Sequence, residues 1–360
     1  GYPAVRSDLL PAESALQEEF KAGHQAEFWT RMNEVVPAHP AQASLACLAG
    51  AQRVREGQTD APFWLNRAML LAPNWGLPHL WTAWWLGSIG RTDQATTELQ
   101  LAAESAPGEA SELLAAWLSK DPRAELALRS VPDRGPNRVF VLDVAAARLF
   151  MVAPTEGEIV DAYILRESPY HASAGVREIT RLMRAQRLKE ASQRAQALQL
   201  RHPRRSQLYL LQADSLKASG DAEAAVRVLR STPPDVDDRR AVLRALSLAY
   251  VSLGDAKTMR EVVANLSAES AGDPAKLADA LVLLGSNEAL LGNSARAMKA
   301  VREAHLLGAG ASALASSAEL AEQLGHEDYA LSVWTQLCGE LADDPYYCSH
   351  RDALLRRVNP

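Results

Sequence analysis

The sequence has few cysteines, few aromatic residues and no long apolar run. Its 360 residues include three cysteines, Cys47, Cys338 and Cys348, which are too few for a disulfide framework and have no histidine partners at zinc-ligand spacing. The sequence does not decide whether a single disulfide joins Cys338 and Cys348 across a C-terminal turn. The redox compartment is therefore undecided too. The most apolar stretch, residues 139–152, contains two charges and falls short of the roughly 20 residues that cross a membrane. We therefore expect no membrane span in this chain.

Blocks of positive charge are also missing. The formal net charge is −6, and Lys and Arg are interleaved with Asp and Glu along the chain. Nucleic-acid binding depends on clustered positive charge that neutralises phosphates. DNA or RNA is therefore excluded as the main partner.

Catalytic and cofactor-binding signatures are absent as well. The sequence contains no phosphate-binding Gly-Lys-Ser/Thr loop, no His-Glu-x-x-His zinc motif, no nucleophile elbow and no dinucleotide fingerprint. The glycines of residues 308–311 follow no strand and predict an inter-repeat turn. The eight histidines are scattered, and the adjacent carboxylates at 237–238 and 343–344 lie in predicted turns, where side chains usually face water. We predict that the protein is not an enzyme and holds no cofactor or metal.

The strongest positive signal is a repeat. Ala and Leu fill most apolar positions, which suits packed helices better than strands. Glycines recur at spacings of 34 and 33 residues and later at 34, 38 and 33: Gly23, Gly57 and Gly90, then Gly220, Gly254, Gly292 and Gly325. Each is expected to end the first helix of a hairpin in the left-handed conformation that glycine adopts without steric cost.

Two further residue types keep the same phase. Alanine follows the turn glycine by five residues, where the two helices of a hairpin must approach closely, at Ala95, Ala225, Ala297 and Ala330. Proline marks the end of the second helix, because it blocks extension, at Pro40, Pro73, Pro107 and Pro203. The predicted unit is a helix, a tight turn and an antiparallel helix.

These residues resemble the tetratricopeptide repeat family. The resemblance implies an all-α fold, a right-handed α-solenoid (superhelix) of about ten helical hairpins, each burying its apolar stripe on its neighbours. Repeats are expected to begin near Leu9, Gln42, Gly76, Ala110, Arg138, Ala172, Ser206, Arg240, Ala278 and Ala311.

Three segments follow from this pattern. Residues 1–109 form Trp-rich N-terminal repeats, and residues 172–360 form C-terminal repeats. Between them, prolines break residues 110–171 into degenerate repeats or a hinge. Within this middle segment we predict an irregular helix pair over 138–152 and 156–166.

The family register also implies which side chains face a concave groove. Seven of the eight tryptophans lie in the first third of the chain. Leu80 and Trp84 are expected in the groove, where aromatic rings can anchor a peptide or stack on a sugar, whereas Trp81 and Trp85 are expected against neighbouring helices. The later groove positions are polar: Thr180, Arg184, Asp214, Lys217, Arg244, Ser286, Glu319 and Glu322. Solvated helix faces have the same composition, so that interpretation stays open. Asp214 stands where carboxylate-clamping co-chaperones of the family have Asn, which disfavours a receptor for heat-shock chaperone tails.

A narrower resemblance concerns one and a half repeats. Residues 63–73, with the sequence Phe-Trp-Leu-Asn-Arg-Ala-Met-Leu-Leu-Ala-Pro, are followed by Pro-His at 78–79, Gly-Arg at 90–91 and Gln-Ala at 94–95. They are similar to repeat domains attached to O-antigen ligase or polymerase-type membrane proteins of Gram-negative bacteria. This resemblance implies an extramembrane accessory domain in envelope polysaccharide assembly, with a glycan as a further partner. The missing initiator Met fits a piece of a longer membrane protein and a trimmed chain equally.

Two functional hypotheses result. The first is a non-catalytic protein–protein interaction scaffold that binds a peptide or helix in its groove. The second is the accessory domain of a bacterial envelope polysaccharide ligase or polymerase system. Periplasm and cytoplasm are both left open, because a repeat fold does not specify its partner or its compartment.

Overall fold

The computed structural model describes residues 9–358, without the side chain of residue 136. All regular elements in this range are α-helices, 21 in number. Their bounds are α1 Leu9–Ala22, α2 Gln25–Ala38, α3 Ala43–Arg55, α4 Ala61–Leu71, α5 Gly76–Ser88, α6 Thr92–Ser105, α7 Pro107–Leu118, α8 Ala124–Arg129, α9 Pro136–Val152, α10 Pro154–Glu167, α11 Ala172–Arg184, α12 Leu188–Gln199, α13 Ser206–Ala218, α14 Ala222–Arg230, α15 Arg239–Ser252, α16 Ala256–Ala268, α17 Pro274–Leu290, α18 Ser294–Leu306, α19 Ala311–Gln323, α20 Glu327–Glu340 and α21 Pro345–Val358.

The helices fall into two compact units. The first unit extends to Arg177 and contains the hairpins from α1/α2 to α9/α10. The second begins at Glu178, inside α11, and contains α12 to α21. The predicted all-α repeat of about ten hairpins is confirmed, and each first helix begins within four residues of its predicted start.

The turns between paired helices have the predicted geometry. All seven turn glycines have positive φ, between 67° at Gly57 and 88° at Gly220. In the second unit, Asp221 and Asp255 follow the glycine directly, and their carboxylates accept hydrogen bonds from the backbone N–H groups of Ala224 and Thr258 at 2.8 and 3.0 Å. Glycine thus ends the first helix, and aspartate caps the start of the second.

Small residues allow the paired helices to approach closely. The predicted alanines after the turn, Ala95, Ala225, Ala297 and Ala330, are at most 1% exposed. Seven residues before the turn glycine, the first helix carries a second small and buried residue: Gly50, Ala83, Ala213, Ser247, Gly285 and Ala318. At Gly285, a Cβ would lie 2.8 Å from Val301 Cγ2 and 3.2 Å from the carbonyl oxygen of Ala297. Glycine there permits the contact between α17 and α18.

The irregular segment of the first unit, residues 110–171, packs around one continuous apolar core. Its second helix α8 has only six residues, yet one apolar cluster extends from Ala83 to Ala174. Helices α9 and α10 form the predicted irregular pair, each slightly longer than expected. Whether residues 110–171 act as a hinge or as ordinary degenerate repeats stays a prediction.

A buried charged cluster ties three helices of the first unit together. The Arg177 guanidinium of α11 donates to Asp161 of α10 at 2.7 Å and to Asp143 of α9 at 2.6 Å. Asp161 is fully buried and Arg177 is 8% exposed. Burial opposes the charge of Arg177, but hydrogen bonds to both carboxylates outweigh it and raise the arginine's pKa. The cluster is therefore paired and structural.

In the second unit, an unpredicted helix covers the last hairpin. Helix α21 follows α20 as the first helix of an eleventh repeat would, and a disulfide between Cys338 and Cys348 joins the two helices. The sequence left open whether Cys338 and Cys348 are bridged, and the structure shows that they are. Trp334 of α20 is fully buried and stacks on His350 of α21 with ring centroids 4.7 Å apart.

Two remaining sequence features concern cysteine and the membrane. Cys47 is a free, buried cysteine, and burial raises the pKa of its thiol to about 12. Such a thiol stays protonated and unreactive. Among the described residues, no helix combines the length and apolar character needed to cross a membrane.

Candidate functional site

In each unit, the first helices of successive hairpins contact one another side by side. These rows consist of α1, α3, α5, α7 and α9 in the first unit and of α13, α15, α17 and α19 in the second. The candidate residues predicted from the sequence lie on first helices: Leu80 and Trp84 on α5, Thr180 and Arg184 on α11, Asp214 and Lys217 on α13, Arg244 on α15 and Glu319 on α19.

An aromatic cluster lies on the first-helix row of the first unit. Trp84 and Trp81 of α5 stack with centroids 5.0 Å apart and planes 11° from parallel. The edge of Trp81 meets Phe20 of α1 at 5.7 Å, and the guanidinium carbon of Arg55, at the end of α3, lies 3.6 Å from the Phe20 ring centroid. Trp84 keeps 44% of its surface exposed. We call Phe20, Arg55, Trp81 and Trp84 the aromatic face.

The cation of the aromatic face is anchored by backbone and ring contacts. Arg55 donates to the carbonyl oxygen of Phe20 at 2.6 Å, in the last turn of α1, where a helix presents unpaired carbonyls and negative potential. Partial burial lowers the pKa of Arg55, although the group stays charged at neutral pH. The guanidinium keeps further N–H donors for a ligand.

The other predicted residues of α5 have different environments. Leu80 was expected in the groove. It is half-buried and packs against the core of the first unit, so only part of its side chain is left for a ligand. Trp85 packs against the buried cluster of Val54, Ala61 and Leu65, toward neighbouring helices. Trp81 packs there too, but it also supports Trp84.

The first-helix row of the second unit carries polar and hydroxyl side chains instead. A groove of about 380 Å³ is lined by Arg244 of α15, Asp279 and Ser286 of α17, and Ser312 and Ser316 of α19, with the apolar side chains of Val282, Leu283 and Ala313 between them. Arg244 and Asp279 form an ion pair across the two helices at 3.6 Å. Both are about 45% exposed, so this pair contributes little to stability. We call the five polar residues of this groove the polar face.

Glu319 and Glu322 border the polar face but are engaged by α21. The Tyr346 hydroxyl donates to Glu319 at 2.9 Å, and this hydrogen bond to a carboxylate raises the pKa of Tyr346. Glu322 accepts from the Trp334 indole N–H at 2.7 Å and also pairs with Arg357. The carboxylates predicted to face a ligand thus hold the terminal helix.

The remaining predicted groove residues lie on α11 and α13. Lys217 pairs with Asp214 one turn earlier on the same helix, at 2.9 Å. On α11, Thr180 is half-buried and Arg184 is exposed. The binding roles of these four residues stay predictions.

The two faces differ in the side chains that they present. Across residues 9–358, no three His, Cys, Asp or Glu side chains converge as a metal site requires. Burial raises the pKa of the Cys47 thiol, which lies in the buried cluster beneath Trp81 and keeps its proton. The faces offer aromatic stacking, hydroxyl groups and paired or unpaired charges.

The sequence did not indicate five members of these faces. Phe20 and Arg55 belong to helices that pack beside α5 and meet at Trp81. Asp279 pairs with Arg244, and Ser312 and Ser316 line the same groove. One signal was present: Arg55 lies two residues before a turn glycine, at the end of a first helix.

Comparisons with known proteins give likenesses of structure alone. No family model matches the sequence, and neither does any curated protein. Three solved structures are similar to the chain. One is a tetratricopeptide repeat protein from Parabacteroides merdae, with 15% identity, coverage of 78% of this chain and 98% of that one, and a TM-score of 0.41. Another is yeast Tom70, with 10% identity, 97% and 96% coverage, and a TM-score of 0.44. The third is the Cut9–Hcn1 hetero-tetramer of the APC/C, with 12% identity, 96% and 83% coverage, and a TM-score of 0.37.

Proposed function

We propose that this protein is a non-catalytic scaffold that binds protein partners on the first-helix faces of its repeats, as an extended peptide or a helix. The observation that carries the proposal is the aromatic face. Burying an exposed aromatic side chain stabilises a complex, and aromatic and arginine side chains dominate binding energies at protein interfaces. The aromatic face leaves 44% of Trp84 exposed and also contains Arg55, so it presents an aromatic ring and an arginine on one surface.

The polar face supports a second type of contact in the same scaffold. Its serines and its exposed ion pair suit hydrated hydrogen bonds to a partner. In this proposal the repeats of residues 1–109 and of residues 172–360 bind through different chemistry. Residues 110–171 keep both interpretations, degenerate repeats or a hinge.

The test compares partner binding by matched variants. Trp84→Ala removes the exposed ring of the aromatic face, whereas Phe63→Ala removes another exposed aromatic ring from a second helix, α4, where Phe63 is 63% exposed. Partners captured from the native host are quantified by mass spectrometry with wild type and with both variants. We expect a protein partner that is lost with Trp84→Ala and kept with Phe63→Ala. If both variants of unchanged thermal stability retain every partner, the aromatic face is not the binding surface.

The polar face needs its own variant. Arg244→Gln on α15 removes a charge that pairs across an exposed surface with Asp279. This change should not shift thermal stability measurably, because an exposed pair contributes between about 0 and 1 kcal/mol. A partner that is lost with Arg244→Gln but kept with Trp84→Ala would be assigned to the polar face.

A second candidate function is an accessory domain of a bacterial envelope polysaccharide ligase or polymerase. The disulfide between Cys338 and Cys348 favours it, since stable disulfides form mainly in oxidising compartments such as the periplasm. The full-length gene product is the decisive comparison. Two findings would support the envelope role. One is membrane spans beside this chain, and the other is that Cys338 and Cys348 resist alkylation in protein taken directly from cells. Free Cys338 and Cys348 thiols in that protein would argue against it.

A further inference from the structure

Arg55 differs from the other cations around the aromatic face in its partners. Lys21, Arg31 and Arg53 pair with Glu18, Glu19 and Glu56 at 3.1, 2.8 and 3.5 Å. Arg55 instead contacts the Phe20 ring and carbonyl oxygen, and no carboxylate of the described residues lies within ion-pair distance of it. A cation that lies on an aromatic ring without a counter-charge among the described residues is complementary to an anion.

We infer that the aromatic face binds a peptide segment in which an Asp or Glu side chain adjoins an aromatic or branched aliphatic residue. This inference rests on the proposed scaffold function and specifies its ligand. The carboxylate pairs with the free N–H groups of Arg55, and the neighbouring apolar side chain packs on the exposed ring of Trp84.

The aromatic face is already ordered for such a ligand. Trp84 stacks on Trp81, and Trp81 is fixed by its packing on Val54 and Leu65. The backbone hydrogen bond from Arg55 to Phe20 and the ring beneath the guanidinium hold the cation in place. Side chains fixed before binding lose less conformational entropy in the complex, which favours affinity.

A peptide suits this surface better than a sugar. Sugar rings that stack on tryptophan also present hydroxyl groups that need hydrogen-bond partners. The aromatic face offers three aromatic rings and a single cation, and none of these side chains can accept a hydrogen bond from a sugar hydroxyl. The nearby Ser88 hydroxyl donates to the Trp85 carbonyl oxygen of its own helix at 2.7 Å. An acidic residue beside an apolar one satisfies this arrangement with one ion pair and one ring contact.

Arg55 also has a structural role, which the experiment must separate from binding. It joins α3 to the end of α1 through the Phe20 carbonyl. Arg67 of α4 provides a matched control, because it is an exposed arginine that donates to the Pro40 carbonyl of the preceding hairpin at 2.5 Å. Arg67→Gln loses the same kind of backbone hydrogen bond on a second helix.

The probe is a library of random 12-residue peptides displayed in a loop, so that no peptide has a free C-terminal carboxylate. The full chain is used for selection, and the best sequences are synthesised with capped ends for affinity measurement by fluorescence anisotropy. We expect enrichment of Asp or Glu next to Phe, Trp, Leu or Ile. Arg55→Gln should weaken binding by about 10-fold or more, the effect of losing one strong interaction. Arg55→Lys should have a smaller effect, and Arg67→Gln none.

Replacing the peptide's Asp by Asn tests the ion pair without changing the protein. The Asn peptide should bind wild type about as weakly as the Asp peptide binds Arg55→Gln. In the Arg55→Gln variant, the Asp and Asn peptides should bind with nearly the same affinity, because the ion pair is already lost. Peptides that bind equally with Asp or Asn would overturn the inference even if Arg55→Gln failed to fold.

The outcomes also separate this inference from the proposed function. Selected peptides that depend on Arg244 and not on Arg55 would overturn the inference and leave the scaffold function intact. A library that yields no specific binder would count against the scaffold function itself. A glucuronic-acid oligosaccharide that binds in an Arg55-dependent way, without any acidic peptide being selected, would replace the peptide by an acidic glycan.

Discussion

A single added methyl group at Gly157 tests how rigidly the irregular segment of the first unit is packed. Gly157 lies in the first turn of α10, where it is buried against the end of α9. A Cβ at this position would lie 2.8 Å from the Phe150 backbone nitrogen and 3.1 Å from the Leu149 carbonyl carbon. Both neighbours are backbone atoms, so no side chain can move aside, and α9 and α10 would have to separate.

The magnitude follows from two opposing effects. Alanine gains up to about 1 kcal/mol over glycine in a helix, through lower entropy of the unfolded chain. Overpacking a well-packed site typically costs about 1–3 kcal/mol, and a backbone contact places Gly157→Ala at the upper end of that range. We expect a net destabilisation of about 1–2 kcal/mol. Gly108→Ala in α7 of the same unit adds a methyl group into open space and should be neutral or slightly stabilising.

The assay uses the uneven distribution of tryptophan. Seven of the eight tryptophans belong to the first unit, so a urea titration followed by tryptophan fluorescence mainly reports the unfolding of that unit. Gly157→Ala should lower the urea midpoint, and Gly108→Ala should not. Equal midpoints for the two variants would refute the reasoning. They would mean that α9 and α10 separate at little cost, as a hinge within residues 110–171 would require.

Three further changes address other parts of the two units. Cys348→Ser opens a bridge between cysteines separated by 10 residues and should reduce the stability of the second unit by about 3 kcal/mol, as should reduction of the wild type, measured by urea denaturation followed by circular dichroism. Asp161→Asn leaves Arg177 buried with one carboxylate fewer and should cost about 3 kcal/mol; an unchanged urea midpoint would show that the pair is not buried in solution. The pKa of Glu288 lies below its ordinary value of 4.5, because Arg260 hydrogen-bonds the carboxylate. A lowered pKa stabilises the fold above the ordinary value and loses that effect as the pH falls through the folded-state value. The stability difference between wild type and Glu288→Gln should therefore be constant above about pH 5 and shrink in more acidic solution.

Most of the fold could be predicted because the repeat places strong local signals at fixed positions. Helix α14 begins directly after the predicted turn glycine Gly220 and the aspartate cap Asp221, which together define its start. The segment around α8 was harder. Its helix has six residues, and its place is set by contacts with α6, α9 and α10, which no local pattern encodes.

The candidate site was predictable only one helix at a time. Trp84, Asp214, Ser286 and Glu319 all lie six residues before a turn glycine, so the register of one repeat places them on the same face of their helices. It does not tell which side chains of the next helix they meet. Phe20 and Arg55 reach Trp81 through the packing of α1, α3 and α5. Tyr346 reaches Glu319 from a helix that was not predicted.

The two first-helix faces suit ligands of different chemistry, because they differ at the positions that helix packing does not occupy. Close packing requires small residues before and after each turn, as Ala83 and Ala95 in the first unit and Ala318 and Ala330 in the second show. Those positions are filled alike in both units and carry no information about a ligand. The outward positions differ: stacked indole rings beside an unpaired cation in the first unit, serines and a compensated ion pair in the second. An apolar ligand would cover the hydroxyls of Ser312 and Ser316 without offering them hydrogen bonds, and a strongly hydrated one would gain little from Trp84. The binding segments for the two faces are therefore expected to have distinct sequences, whether they belong to one partner or to two.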